Sequence, residues 1–167
     1  ALYDYTKQVI QALKDQGTAP EMVQLGNEIN HGMVWPHGSI NQLDSLAQLI
    51  YAGIQGVKAV SPSTSIMLHI ALGGQNDESK FFFDHMINRG IQFDVIGLSY
   101  YPKWHNTLAD LEYNLDDLAR RYNKDVIVVE YSHVKKEVNE LSFNVAGGRG
   151  KGSCIWEPLS TWEQFFD

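Results

Sequence analysis

The chain has 167 residues, of which 44% are hydrophobic and 11% aromatic, enough to bury one substantial core, so residues 1–167 read as a single globular domain and extensive disorder is excluded. Its formal charge of -7 comes from 20 acidic against 13 basic side chains, and the lysines and arginines are scattered, which argues against nucleic acid or an anionic membrane as a partner. No stretch approaches the length of a membrane span, and the single cysteine, Cys154, has no internal disulfide partner and is expected to be a buried thiol in the apolar run SCIW.

The chain opens on Ala1 without a methionine, and Leu2 onward already has a helical pattern, so a processed, cloned or partial N-terminus is expected. Residues 2–14 place Leu2, Tyr5, Val9, Ile10 and Leu13 on one helical face, with Gly17 as the stop. The short run MVQLGN then predicts a strand. A second helix is expected over residues 39–59, where Ser39 and Gln42 have capping-box spacing and Leu43, Leu46, Ile50, Ile54 and Val57 form the stripe. SIMLHIA, residues 65–71, is the next strand, and a third helix fits residues 78–88. FDVIGLSYYP, residues 93–102, is a strand halted by Pro102. Thr107 is placed to cap a fourth helix with the stripe Leu108, Leu111, Leu115, Leu118 and Tyr122. DVIVVEYS follows as the cleanest buried strand, then a helix over residues 134–145, the turn GGRGKG and a last strand, SCIWEP.

This is repeated βα order, and apolar runs without alternation indicate a parallel sheet covered on both faces. Two α/β architectures compete, an open doubly wound sheet and a (β/α)8 barrel, and in both the ligand site lies at the carboxyl ends of the strands. Those ends bring forward Asn27 and Glu28, His69, Tyr100 and Tyr101, Glu130, and Trp156 with Glu157. A pair of carboxyls facing one bond is the arrangement for glycoside hydrolysis, and aromatic rings offer flat surfaces for pyranose stacking. Taken singly, each residue also has a plain structural reading: the glutamates as helix caps or ion-pair partners, the aromatics as core or rim, and His69 as a satisfied core histidine. His31 and His37 fit no compact metal motif, and His85, His105 and His133 show no pattern, so no metal site is assigned. GGRGKG precedes a strand and lacks the Lys-Ser/Thr ending of a phosphate loop, which leaves a structural turn.

VQLGNEINHGMVWPHG, DVIGLSYYPKWHNTLADL, VIVVEYS and KGSCIWEP together resemble the successive strand-end blocks of glycoside hydrolase family 53, the endo-β-1,4-galactanases, within a clan of retaining (β/α)8 glycosidases. The resemblance implies that Glu28, after Asn27, is the acid/base at the fourth strand and that Glu130, closing VIVVE, is the nucleophile at the seventh. Retention then requires the two carboxyls to stand roughly 5–5.5 Å apart. It further implies that Asn27 hydrogen-bonds the sugar 2-hydroxyl, that a tyrosine hydrogen-bonds the nucleophile, and that Trp156 floors the cleavage subsite while Trp35, Trp104 and His69 line adjacent ones. Tyr100 is the first choice for that tyrosine, with strand alternation leaving Tyr101 open.

On this reading the chain is part of a (β/α)8 TIM barrel, strands four to eight with their helices. Strands one to three, and the arginine the clan carries near its second strand, are not in it. A missing N-terminal part of the same barrel is therefore an expected partner, because an open edge and an uncovered inner face are unstable alone. TWEQFFD stands where the last helix or its leading loop is expected. The short loop YSHVKKEVNEL after Glu130 argues against the calcium site that some relatives carry there, so no cofactor is expected. The implied substrate is β-1,4-galactan or a galacto-oligosaccharide, with hydrolysis of another β-linked glycan or a catalytically silent sugar-binding role as alternatives. A polymeric substrate implies a secreted, periplasmic or cell-surface location.

Overall fold

A computed structural model of the chain describes residues 1–158, and TWEQFFD lies outside them. Its contacts fall into two compact units, one of residues 1–68 and 81–95 and one of residues 69–80 and 96 onward. The divisions cut through secondary-structure elements, so two strands and a helix each contribute to both units.

In the first unit, helix α1 (Leu2–Asp15) buries Ile10 and leaves Tyr5 and Val9 exposed. After Gly17, in the left-handed region at φ +84°, strand β1 (Met22–Leu25) pairs in parallel with β4 (Ser65–Ile70), in register from Met22 against Ser65 to Leu25 against Leu68. Between them the chain makes a small antiparallel hairpin, β2 (Gly32–Met33) with β3 (Gly38–Ser39), and helix α2 (Leu43–Lys58). Leu46, Ile50, Ile54 and Val57 of α2 are buried, as the stripe predicts, and each such side chain contributes about 1.5–3 kcal/mol of transfer free energy. The expected capping box at Ser39 does not form. Ser39 is held in the hairpin, Ile40 donates its N–H to the His31 carbonyl, and α2 starts only at Leu43 behind Gln42, which makes no side-chain cap.

The last part of α3 (Asn76–Asn88) adds Phe82, Phe83 and Met86 to the core of this unit. Asp94 then fastens the stem of the next strand to β4, its Oδ2 accepting from the Ile66 N–H and its own N–H donating to the Ile66 carbonyl, both at 2.8 Å.

In the second unit the carboxyl half of β4 begins a sheet that continues in the order β5 (Val95–Tyr100), β6 (Asp125–Tyr131), β7 (Gly150–Ile155). β7 runs parallel to β6, pairing Val126 with Gly150 and Tyr131 with Ile155 across an irregular register. Helices α4 (Leu108–Tyr122) and α5 (Lys135–Phe143) alternate with these strands, which completes the βα order read from the sequence. Strand β5, not DVIVVEYS, is the uniformly buried one: every residue of β5 is inside, whereas β6 alternates, with Val126, Val128 and Tyr131 buried. β7 also starts three residues earlier than expected and takes the second half of GGRGKG into the sheet. Cys154 is exposed, a correction to the buried thiol expected from its apolar neighbours, because it lies on the outermost strand described.

Thr107 does cap α4. Its Oγ1 accepts from the Asp110 N–H at 3.2 Å, while the Asp110 carboxylate accepts from the Thr107 N–H at 3.0 Å and from the Thr107 hydroxyl at 2.6 Å. The hydroxyl bond, then the amide bond, holds the Asp110 carboxyl below its ordinary value of 3.8. A carboxyl lowered by folding adds stability above its unfolded value and loses that contribution as the pH falls through the folded one. Thr107→Ala is expected to destabilise the fold near neutral pH, because it removes both the helix cap and the hydroxyl that Asp110 accepts. In urea melts, part of the gap between wild type and variant closes as the pH is taken below 3.8; a gap that widens on acidification would contradict the assignment.

Among the described residues no helix is long and apolar enough to cross a membrane.

Candidate active site

The Asn-Glu pair of the first unit lies beyond its strand, not in it. β1 ends at Leu25, and the chain turns at Gly26 with φ +77°, where a Cβ would stand 2.4 Å from Ile29 Cγ2, so only glycine fits without a shift. Asn27 is exposed, and its Oδ1 accepts from Gln24 Nε2 at 3.3 Å while the same amide donates to the Gly26 carbonyl at 2.8 Å. Glu28 is half-buried and itself takes the left-handed conformation, φ 48° and ψ 51°, at the head of a 3-10 turn over Ile29–His31. A non-glycine residue held there costs conformational energy, and Ile29, 1% exposed, is the anchor that sustains it. The two-stranded hairpin follows directly, with Trp35 near its tip, 63% exposed and joined to Pro36 by a cis peptide bond. His31 and His37 both lie exposed on this segment.

In the second unit the strand ends deliver Glu130 to a tyrosine. Glu130 is the penultimate residue of β6, half-buried, and its Oε1 accepts the phenolic hydroxyl of Tyr101 at 2.8 Å. Tyr101, not Tyr100, makes this bond. Tyr100 is the last residue of β5 and is turned into the core at 1% exposure, its hydroxyl donating to the Asn106 carbonyl at 3.1 Å. Burial, then the charge of Asp110, pushes the Tyr100 phenol above its usual value. One residue further along the chain the side chain faces the other way, which is the parity that decides between the two. A hydroxyl donating to a carboxylate favours the ionised form.

Beside this pair lies a shallow groove of about 320 Å³ lined by Tyr101, Pro102, Lys103, Trp104, Ser132, His133 and Trp156. Trp104 is 66% exposed with the Lys103 ammonium 4.7 Å from its ring centroid, and Trp156 is 46% exposed. Trp156 follows β7 directly, and its N–H donates to the Tyr131 carbonyl at 2.8 Å, which brings the indole to the end of β6. Exposed rings at a strand end supply the flat apolar surface that a sugar face needs. His69, 1% exposed within β4, has its Nε2 2.8 Å from Ser99 Oγ on β5 and a ring nitrogen within 4.8 Å of a Glu130 carboxylate oxygen, so it stands at the carboxylate and not along the aromatic groove.

Five residues were not assigned to the site from the sequence: Pro102, Lys103, Ser132 and His133, which line the groove, and His105, whose Nδ1 accepts the Tyr101 N–H at 3.0 Å. The available signal for His105 was its position, four residues after Tyr101 across a proline-bearing turn.

Parallel strands alternating with helices, with Glu130 and exposed aromatic rings at the strand ends of the second unit, are the pattern of part of a (β/α)8 barrel. More narrowly, the chain belongs to glycosyl hydrolase family 53, whose profile matches residues 1–147. An uncharacterised protein of Niallia circulans is 45% identical over 95% of the chain, and the arabinogalactan endo-β-1,4-galactanase A of Emericella nidulans is 38% identical over 77% of it. The solved GH53 catalytic domain of Ignisphaera aggregans superimposes with a TM-score of 0.87 at 26% identity, covering 98% of the chain. These matches take in 54%, 39% and 56% of the respective relatives, so the chain spans about half the length of the proteins it resembles.

Proposed function

We propose that the full-length protein is a retaining endo-β-1,4-galactanase that cleaves the galactan side chains of pectin. The observation that carries this reading is the hydrogen bond from the Tyr101 hydroxyl to Glu130 beside the tryptophan-lined groove, on a chain whose family relatives include a named galactanase. Glu130 serves as nucleophile: it attacks the anomeric carbon, the glycosidic bond breaks, and a galactosyl ester forms. Glu28 gives its proton to the departing oxygen and then takes one from the water that cleaves the ester. Asn27 binds the 2-hydroxyl, Trp156 floors the cleavage subsite, and Trp104 and Trp35 extend the surface for neighbouring sugars. A polymeric substrate places the protein outside the cytoplasm, whether secreted, periplasmic or at the cell surface.

The catalytic pair constrains the reaction more than the sugar, so the substrate is tested directly. The full-length protein is incubated with galactan, mannan and cellulose, and the chain length and anomeric configuration of the products are followed by chromatography and proton NMR. Galactan is expected to yield short oligosaccharides born in the β configuration. Cleavage of mannan without galactan would overturn the substrate assignment, and initial release of α products would overturn retention.

A further inference from the structure

The hydroxyl on Glu130 comes from a residue that no strand holds. β5 ends at Tyr100, and Pro102 has no N–H to give, so the direction of the Tyr101 phenol depends on whatever fixes the Tyr101 main chain. The turn after it does so from both sides. The Tyr101 carbonyl accepts from the Trp104 N–H at 2.8 Å and the His105 N–H at 2.9 Å, while the Tyr101 N–H donates to His105 Nδ1 at 3.0 Å. The ring of His105 is 7% exposed and packs 6.0 Å, centroid to centroid, from that of Tyr101. A backbone amide can only donate, so Nδ1 is the bare nitrogen and the neutral ring carries its proton on Nε2.

The turn is braced in its own unit by the loop after β4. Gln75 Nε2 donates to the Trp104 carbonyl at 2.8 Å, and Asn106 Nδ2 donates to the Gly74 carbonyl at 3.2 Å. A Cβ at Gly74 would stand 2.0 Å from the His105 carbonyl oxygen, so the two loops touch backbone to backbone. His105 is thus a fixed acceptor, not a side chain that follows Tyr101.

We propose that His105 is a positioning residue: by accepting the Tyr101 N–H through Nδ1, it fixes the Tyr101 main chain so that the phenolic hydroxyl stays on Oε1 of Glu130. The inference rests on the reading of Glu130 as nucleophile. It differs from a packing role in one respect, because the bond it protects is made to the carboxylate itself, so its loss is read in a pH profile and not only in the stability of the turn.

The test compares pH profiles of kcat/KM, and kcat at the optimum, for the full-length protein on a soluble galacto-oligosaccharide. Tyr101→Phe is expected to lose about ten- to hundredfold in kcat, the range for a hydrogen bond to a charged group, and to shift the acidic limb to higher pH. His105→Gln, whose oxygen sits one bond too far out, is expected to shift the limb in the same direction and to add little to the loss when combined with Tyr101→Phe. His105→Asn can offer Oδ1 close to the position of Nδ1 and is expected to keep the wild-type limb. An unmoved limb in His105→Gln, losses that multiply in the double variant, or an Asn variant as impaired as Gln would each overturn the assignment. Should His105→Gln fail to fold by circular dichroism, His105→Asn decides alone: a wild-type limb supports the role and a shifted limb refutes it. Glu130→Gln separates the two claims, since turnover surviving that change defeats the nucleophile reading, whereas its loss together with an unmoved limb in the His105 variants defeats only the positioning role.

Discussion

Glu130→Ala in the full-length protein is expected to lower galactan turnover on the order of 10⁴-fold, the scale of removing a group that bonds covalently to substrate, with little change in oligosaccharide affinity. Glu130 occupies the penultimate position of β6, where neighbouring strands hold the main chain, and its Oε1 receives the Tyr101 hydroxyl at 2.8 Å. A carboxylate so placed is held in one orientation by its tyrosine. Alanine removes the attacking oxygen and leaves a space that a small anion can fill. Added azide is therefore expected to restore turnover of a substrate with a good leaving group, attacking the anomeric carbon on the face Glu130 used and giving the α-galactosyl azide. Undiminished turnover by Glu130→Ala, or an adduct of β configuration, would remove Glu130 from the nucleophile's role. Oligosaccharide binding that survives in Glu130→Gln, from a full-length protein that never turns galactan over, would instead favour a sugar-binding function.

Much of this site was legible because strand ends are legible. Pro102, the unbroken apolar run before it and the Thr107 cap after it locate β5, although the strand runs over Val95–Tyr100 and not 93–102, and VIVVE locates β6. What the sequence could not decide turned on single-residue geometry. A strand's side chains alternate, so an end misjudged by one residue exchanges Tyr100 for Tyr101, and the two differ completely: one is 1% exposed and bonded to Asn106, the other bonded to Glu130. Ser39 and Gln42 satisfied the capping pattern, but hairpin pairing with Gly32 took Ser39 first, a contact made by a segment the local pattern does not see. Burial of DVIVVEYS was overestimated for a related reason: hydrophobicity reports what a side chain tolerates, while a strand's neighbours decide which of its faces is covered. The left-handed backbone of Glu28 had no sequence signal of its own, because glutamate rarely adopts it; the signal lay two residues earlier, in Gly26, which makes the turn possible.

That backbone bears on the second large effect. Glu28→Ala is expected to leave hydrolysis of an aryl galactoside with a strongly acidic phenol within about tenfold of wild type, while slowing galactan itself by about 10²–10⁴-fold, the usual contribution of a positioned general acid. The two substrates differ in what the leaving oxygen needs. A sugar alkoxide cannot depart at neutral pH without a proton, whereas an acidic phenolate can, so only the first requires the carboxyl of Glu28. After the galactosyl ester on Glu130 has formed, both substrates share one intermediate, and water must then attack without its base. For the activated substrate that second step becomes rate-limiting, which predicts accumulation of the ester, a burst of phenol in the pre-steady state, and acceleration by azide, which needs no base and here gives the β-galactosyl azide. The opposite azide anomers from the Glu28 and Glu130 variants assign the two carboxylates in one experiment. Equal losses on good and poor leaving groups, with no burst, would show that Glu28 acts through the turn it heads, whose left-handed conformation alanine holds no more easily than glutamate, and not through its proton.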